Sequence, residues 1–254
     1  MRVGRGQHGA LTRLLTMSSR TAWPMVAIVI PALDEEPSLP GVLAAIPQVG
    51  RVIVVDNGSS DGTARVAEAG GAEVVREPRR GYGSACLAGI HHALCTPRNG
   101  GNVDIIVILD ADQADDPTLL HRLVDPILDD RADLVLSDRT RTSQAGALLP
   151  HQRYGNALAV RLMELSTGHR YRDMGPFRAI RTDSLQRLGM VDTNYGWNVE
   201  MQMKAVQHGL RIKEVPMRYR PRVGVSKISG TVKGTVRAGT KIIWSVWRYR
   251  GARL

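Results

Sequence analysis

Four carboxylates close behind one apolar run form the clearest chemical signature in the chain. Ile105 to Leu109 ends abruptly in Asp110 and Asp112, with Asp115, Asp116 and Pro117 close behind. A continuous apolar run of this kind reads as a buried parallel strand, and ligands of open α/β sheets gather beyond the carboxyl ends of such strands. Two carboxylates one residue apart at that edge repel each other unless a positive charge lies between them. A divalent cation with hard oxygen ligands, itself holding a diphosphate, meets that need. The alternative is a solvated acidic turn that caps the next helix. Asp116, followed by Pro117, suits the cap; Asp110 and Asp112 suit the cation.

Further acids stand at two other strand ends. Pro31-Ala32-Leu33-Asp34-Glu35-Glu36 follows the run Met25 to Ile30, and Asp56 ends the run Val52 to Val55. A parallel sheet brings these ends to one rim. Carboxylates there can accept hydrogen bonds from a nucleobase and from ribose hydroxyls. For Asp34 and Asp61 the competing reading is a helix cap.

The elements needed to position these groups alternate from Met25 onward. The pattern predicts helices over 36–46, from Thr63 through Ala69, from the turn Gly81-Tyr82-Gly83 to about Leu94, and over 118–128. It predicts strands over 25–30, 52–55, 73–75, 103–109 and 133–136. Such alternation implies βαβ crossovers and an α/β fold with a mixed, mainly parallel sheet. Beyond Ser137 the pattern loosens. A long helix is expected over 154–166, shorter elements over 177–187 and 199–208, a strand over 212–217 and a helix over 231–249.

Size and charge narrow the classes. At 254 residues, 43% apolar and 23% charged, the chain suits one large globular domain. Cys86 and Cys95 are too few for a disulfide scaffold, so a reducing, cytoplasmic setting is expected. No apolar stretch reaches the roughly 20 residues that span a bilayer. The net charge of +10 is uneven. Residues 1–20 carry four basic groups and no acid, and residues 211–254 carry twelve against Glu214 alone, which leaves the body between them acidic. Residues 1–23 are expected to be a flexible basic extension, 24–222 the main domain, and 223–254 a basic loop with an amphipathic helix. A basic tail suits an anionic partner at one end. Nucleic acid is the partner of another class, but the acidic body and the lack of a reader motif count against it. Gly81-x-Gly83-x-x-Cys86 lacks the third glycine of the dinucleotide fingerprint, which disfavours a nicotinamide enzyme.

Taken in order, Ile30-Pro31-Ala32-Leu33-Asp34-Glu35-Glu36, Val54-Val55-Asp56-Asn57-Gly58-Ser59-Ser60-Asp61-Gly62-Thr63, Gly81-Tyr82-Gly83-Ser84-Ala85 and Asp110-Ala111-Asp112 resemble the family 2 glycosyltransferases of GT-A fold. Within them the chain looks most like the dolichyl- or polyprenyl-phosphate mannose and glucose synthases, over about residues 25–235. The resemblance implies that Pro31, Ala32, Asp34, Glu35 and Asp56 hold a nucleotide. Gly81, Gly83 and Ala85 would let the backbone approach it. Asp110, Ala111 and Asp112 would form the motif that binds Mg²⁺ or Mn²⁺ and the donor diphosphate. Lipid-phosphate mannose synthases often read Asp-Ala-Asp-x-Gln; here that Gln position is Ala114, so Gln113, Asp115 or water is left as the third ligand.

Two segments of the second half extend the likeness. Asp173-Met174-Gly175-Pro176-Phe177-Arg178 resembles the family's Asp-x-x-Gly-Phe-Arg near the acceptor, and Arg222-x-Gly224-x-Ser226-Lys227 its phosphate-contacting loop. The resemblance implies an inverting transfer of mannose or glucose from a GDP- or UDP-hexose to a polyprenyl-type phosphate. Arg139, Arg222, Ser226 and Lys227 would contact phosphate, and Asp173, Glu200 and Arg178 would supply the catalytic groups. A soluble hydroxyl acceptor would need Asp173 or Glu200 as base; an anionic lipid phosphate would need only positioning by Arg139, Arg178 or Arg222. The stretch Lys241 to Arg250, with Trp244 and Trp247 among cations, has the composition of an interfacial helix at a membrane's inner face. The competing reading packs both Trp residues on the domain.

Overall fold

The computed structural model describes residues 25–48, 50–96, 102–224 and 232–250. Seven strands form one sheet: β1 (Val26–Ala32), β2 (Arg51–Asp56), β3 (Glu73–Arg76), β4 (Ile105–Ile108), β5 (Leu134–Asp138), β6 (Arg178–Arg181) and β7 (Ile212–Pro216). Their spatial order is β3-β2-β1-β4-β6-β5-β7. β6 runs antiparallel to both its neighbours, whereas β1 pairs parallel with β2 and β4, β2 with β3, and β5 with β7. The helices are α1 (Leu39–Ala45), α2 (Thr63–Ala69), α3 (Tyr82–Cys95), α4 (His121–Leu128), α5 (Pro150–Thr167), α6 (Thr182–Leu188), α7 (Trp197–Gln207) and α8 (Val232–Tyr249).

β1, β2, β4 and β5 are buried along most of their length on both faces, which is why they read as apolar runs. Alternate residues of β1 enter opposite cores. Ala27 and Val29 pack with α3, α7 and α8 residues such as Cys86, Trp197 and Val246. Val26, Ile28 and Ile30 pack with Leu39, Val42, Leu123 and Ile127 of α1 and α4. The result is a sheet between two helical layers. At the far end of the sheet, buried Arg51 donates to Glu73 Oε2 at 2.7 Å and to the carbonyl oxygens of Ala93 and Thr96, joining β2, β3 and α3.

β6 is the element the sequence pattern leaves vague. It is only four residues long, and its first residue is a buried arginine. Apolar continuity, the signal that reveals β4 at the same length of four residues, is missing. The C-terminal helix is integrated with the body: Ser245, Val246 and Tyr249 are buried, while Ile243, Trp244 and Trp247 face outward with 41–58% of their surface exposed.

Parallel pairing decides where the chemistry sits. Ala32 is level with Asp56, Val29 with Ile108, and Asp138 with Pro216, so the segments after β1, β2, β4, β5 and β7 emerge at one rim. Antiparallel β6 begins at that same edge, with Arg178 beside Ile108 and Leu136.

α3 lies so close to the sheet that a Cβ at Gly89 would overlap the Val29 and Val55 side chains. Gly89→Val should therefore cost about 1–3 kcal/mol through overpacking. Urea denaturation should show a lowered midpoint with an unchanged slope.

Candidate active site

The rim opens into a cleft of about 1180 Å³, larger than the roughly 300–1,000 Å³ of common small-ligand pockets. One wall is built from the segments after β1, β2 and β3, which are laced together. Asp34 adopts φ 52°, its N–H donates to Ser59 Oγ at 3.0 Å, and its carboxylate accepts from the Ser60 N–H at 2.6 Å. Asp56 accepts from the Ser59 N–H at 2.9 Å, and the Glu35 N–H donates to Thr63 Oγ1 at 2.8 Å. Asn57 donates to the carbonyls of Glu77 and Arg79 and accepts from the Gly81 N–H at 2.7 Å. Asp61 accepts from the N–H groups of Thr63 and Glu36, so it organises the turn before α2.

Pro31, Ala32, Asp34, Glu35, Gly81, Ala85, Asp110, Ala111, Asp112, Arg139 and Arg222 all line the cleft. Asp56 acts from behind it through Ser59. Gly81 has φ 149°, and a Cβ there would overlap the Thr193 carbonyl. A Cβ on Gly83 would overlap the Asp192 carbonyl, so Gly83 serves the packing of α3 on residues 192–193 and does not face the cleft.

Asp110 and Asp112 stand at the cleft floor. Tyr82 Oη donates to Asp110 Oδ1 at 3.0 Å. Burial, followed by the charge of Asp112, pushes the Asp110 carboxyl up to about 7. Asp112 is buried; its Oδ1 accepts from the Ala114 N–H at 2.9 Å and its Oδ2 lies 3.0 Å from Arg222. Burial, with Asp110 next, holds Asp115 well above the usual carboxylate range, and neither of its oxygens has a hydrogen-bond partner. Asp116 fills the expected cap, accepting from Thr118 ahead of the 3₁₀ turn Pro117–Leu119.

Gln113 departs from its expected place. Its backbone is left-handed (φ 62°) and its side chain donates to the Ser38 carbonyl at 2.6 Å, outside the cleft. Among the described residues no three His, Cys, Asp or Glu converge as a metal cluster. The donor set is two carboxylates, which suits an ion that completes its shell with substrate phosphate and water.

The catalytic candidates separate. Asp173 is buried and grips Arg139 through both oxygens, from Nε at 2.7 Å and Nη2 at 2.9 Å, and also accepts the Arg139 and Met174 N–H groups. A carboxylate so fully engaged positions Arg139. Glu200 lies outside the cleft. It accepts from the Val191 and Asp192 N–H groups and from Lys204 Nζ, fixing the 191–192 segment to α7. Arg178 is wholly buried behind the cleft, donating to the carbonyls of Gly175 and Pro176. Its role there is to hold Pro176, which does line the cleft. Ser226 and Lys227 lie outside the described residues.

The cleft lining also includes Asn194, Tyr195 and Asn198, which the motifs do not mark, and Lys241 and Trp244, which the sequence marks only as part of an interfacial helix. Lys241 pairs with Asp192 at 3.0 Å and stacks over Trp244 at 4.2 Å. No local spacing announces them, because α7 and α8 reach the cleft only through tertiary packing. A second cavity of about 840 Å³ adjoins the first across Arg139. Six arginines line it (Arg139, Arg141, Arg153, Arg161, Arg170 and Arg172), with Glu164 the sole acid among the described lining residues.

Paired carboxylates at a sheet rim beside cationic pockets suit a glycosyltransferase, and similarity to known proteins agrees. Residues 27–189 match the family model for glycosyl transferase family 2. The chain is 43% identical over 215 residues to an uncharacterized glycosyltransferase of Mycobacterium tuberculosis, covering 83% of this chain and 93% of that one. It is 31% identical to the undecaprenyl-phosphate mannosyltransferase of Micrococcus luteus, covering 82% and 89%. The crystal structure of glucosyl-3-phosphoglycerate synthase from Mycobacterium tuberculosis with Mn²⁺, UDP-glucose and phosphoglyceric acid superposes with a TM-score of 0.69 at 22% identity, covering 90% and 80%. The protein belongs to glycosyl transferase family 2. It is a glycosyltransferase of GT-A fold.

Asp110 binds its proton more tightly in the folded chain than in the unfolded one. Ionising it as pH rises through about 7 therefore costs stability, a cost absent near pH 4. Asp110→Asn should raise the melting temperature of metal-free protein at pH 8 by about 3 °C or more. That gain should vanish toward pH 4, and thermal melts across pH measure it. The same variant should lose sugar transfer.

Proposed function

We propose that the protein transfers a hexose, with inversion, from a nucleoside diphosphate sugar to a polyprenyl-type phosphate at a membrane's inner face. The observation that carries this reading is the arginine-lined cavity that meets the carboxylate cleft across Arg139. Donor and acceptor would occupy the two chambers, with the reacting atoms near the shared guanidinium.

In the donor chamber, Pro31, Ala32, Asp34, Glu35 and Asp56 shape the nucleotide seat, with Asn57 and Gly81 beside them. Asp110 and Asp112 would hold Mg²⁺ or Mn²⁺. The raised Asp110 carboxyl supports this, because a nearby dication relieves the repulsion that burial and Asp112 impose. The ion would neutralise charge on the departing diphosphate. Arg222 and Lys241, both in the cleft, carry positive charge available to the same oxygens.

In the acceptor chamber, the arginines would orient a phosphate monoester. An acceptor phosphate oxygen attacks the anomeric carbon from the face opposite the diphosphate; the new C–O bond forms as the sugar–diphosphate bond breaks. Such an oxygen is already anionic near neutral pH, so no side chain need remove a proton. This fits a site where Asp173 is committed to Arg139 and Glu200 lies elsewhere. The lipid is supported by α8, which lines the cleft through Lys241 and Trp244 while exposing Ile243 and Trp247 beside Arg248 and Arg250. Tyr154, Leu158 and Leu165 are also exposed on α5, which packs against α8. No helix among the described residues is long and apolar enough to cross a membrane.

A small phosphorylated hydroxyl acceptor is the second reading, favoured by the likeness to the phosphoglycerate-binding synthase and by a cavity that suits any phosphate monoester. Nucleotide release measured with Mn²⁺, GDP- and UDP-hexoses, and either prenyl phosphate or 3-phosphoglycerate separates the two. Release on prenyl phosphate alone is expected, and release on phosphoglycerate alone would overturn the lipid reading. Arg153→Ala should raise the acceptor KM about tenfold while leaving the donor KM near its original value. Ile243→Ser with Trp247→Ser should weaken co-flotation with anionic vesicles.

A further inference from the structure

Arg222 occupies a position that conflicts with a simple phosphate-contacting role. Its Nη2 lies 3.0 Å from Asp112 Oδ2 and 3.6 Å from Glu35 Oε1, among carboxylates that would otherwise face the cleft. The other Asp112 oxygen already accepts the Ala114 N–H. A bare cation approaching Asp112 therefore meets a carboxylate whose remaining oxygen is paired with a guanidinium. To bind there it must displace one positive charge with another, and the displaced charge must stay in the same cleft.

The surrounding backbone lets the side chain move without the chain. Arg220 N–H donates to the Ala114 carbonyl at 2.8 Å and Val223 N–H to the Asp112 carbonyl at 2.9 Å, so the segment is pinned on both sides of Arg222 to the loop that bears Asp112. Arg222 Nε, though buried, has no hydrogen-bond partner. The guanidinium is thus seated electrostatically, with one donor unused. A diphosphate entering with the cation supplies what a bare cation lacks: anionic oxygens in the fork geometry that a guanidinium prefers.

We infer that Arg222 is the specificity-determining residue that makes this site take a cation–diphosphate complex in preference to the free cation. The side chain passes from Asp112 to the diphosphate as the complex enters, so each component raises the affinity of the other. Linkage requires that enhancement to be equal in both directions. The inference rests on the reading of Asp110 and Asp112 as the metal-holding pair.

Equilibrium titration tests it without turnover. Mn²⁺ binding is followed by electron paramagnetic resonance with and without UDP, and UDP binding by calorimetry with and without Mn²⁺. Arg222→Gln should bind Mn²⁺ alone about tenfold more tightly than the unsubstituted protein, and UDP with Mn²⁺ about tenfold more weakly. Arg222→Lys, which keeps the charge, should hold Mn²⁺-only affinity near the original. Arg220→Gln, which removes a pair with Asp116 away from the cleft, should change neither quantity. Matching far-ultraviolet circular dichroism and melting temperatures establish that the variants are folded. If Arg222→Gln binds free Mn²⁺ no more tightly while the unsubstituted protein couples Mn²⁺ and UDP, this inference alone falls. If the unsubstituted protein binds neither, the donor-site reading falls with it.

Discussion

Parallel pairing of β1 between β2 and β4 places the acidic segments of this molecule side by side. Once Ala32 is level with Asp56 and Val29 with Ile108, the chain has no choice about where Asp34, Asp56, Asp110 and Asp112 emerge. Their mutual repulsion is then a fixed condition that the rest of the structure answers. Tyr82 donates to Asp110, Arg222 lies against Asp112, and Lys241 of α8 lines the same cleft. The same condition makes a dication and a diphosphate fitting guests: one relieves the carboxylates, the other receives the arginine.

Much of this was legible in the sequence, for a physical reason. Doubly buried parallel strands must be apolar along their whole length, and the acids that end them break that pattern sharply. The rim residues Pro31, Asp34, Glu35, Asp110 and Asp112 therefore announce both their element and their edge. Asp116 and Pro117 announce a cap through local backbone chemistry alone, and the structure has it. What stayed hidden depends on partners distant in the chain. Glu200 looks like a free acid until Val191, Asp192 and Lys204 are seen around it, and Arg178 looks like a site cation until it is found buried under Pro176. Gln113 sits beside the metal motif in sequence, yet its left-handed backbone sends the amide to Ser38. Adjacency in sequence was a poor guide wherever one backbone torsion redirects the side chain.

Charge is partitioned more finely than a basic tail on an acidic body suggests. Buried carboxylates gather in the cleft on one side of Arg139 and arginines in the cavity on the other, with Asp173 holding the boundary residue by a two-point grip. That pair is buried, and breaking it would leave an uncompensated charge between two chambers. In the proposed reaction its value would lie in fixing a guanidinium where two anionic substrates meet.

The segment 191–194 joins otherwise separate parts of the molecule. Glu200 clamps one end of it, Lys241 of α8 reaches Asp192, and the Thr193 carbonyl accepts the Ser84 N–H at the start of α3, next to Gly81 and Tyr82. An outer helix that lines the cleft with Trp244 and exposes Trp247 is thereby connected, through short links, to the backbone around Gly81 and Tyr82. A shift of α8 upon meeting any surface must either break the lysine–aspartate link or travel inward along it. The placement of α8 and the shape of the cleft around Asp110 and Asp112 are, in this architecture, mechanically one matter.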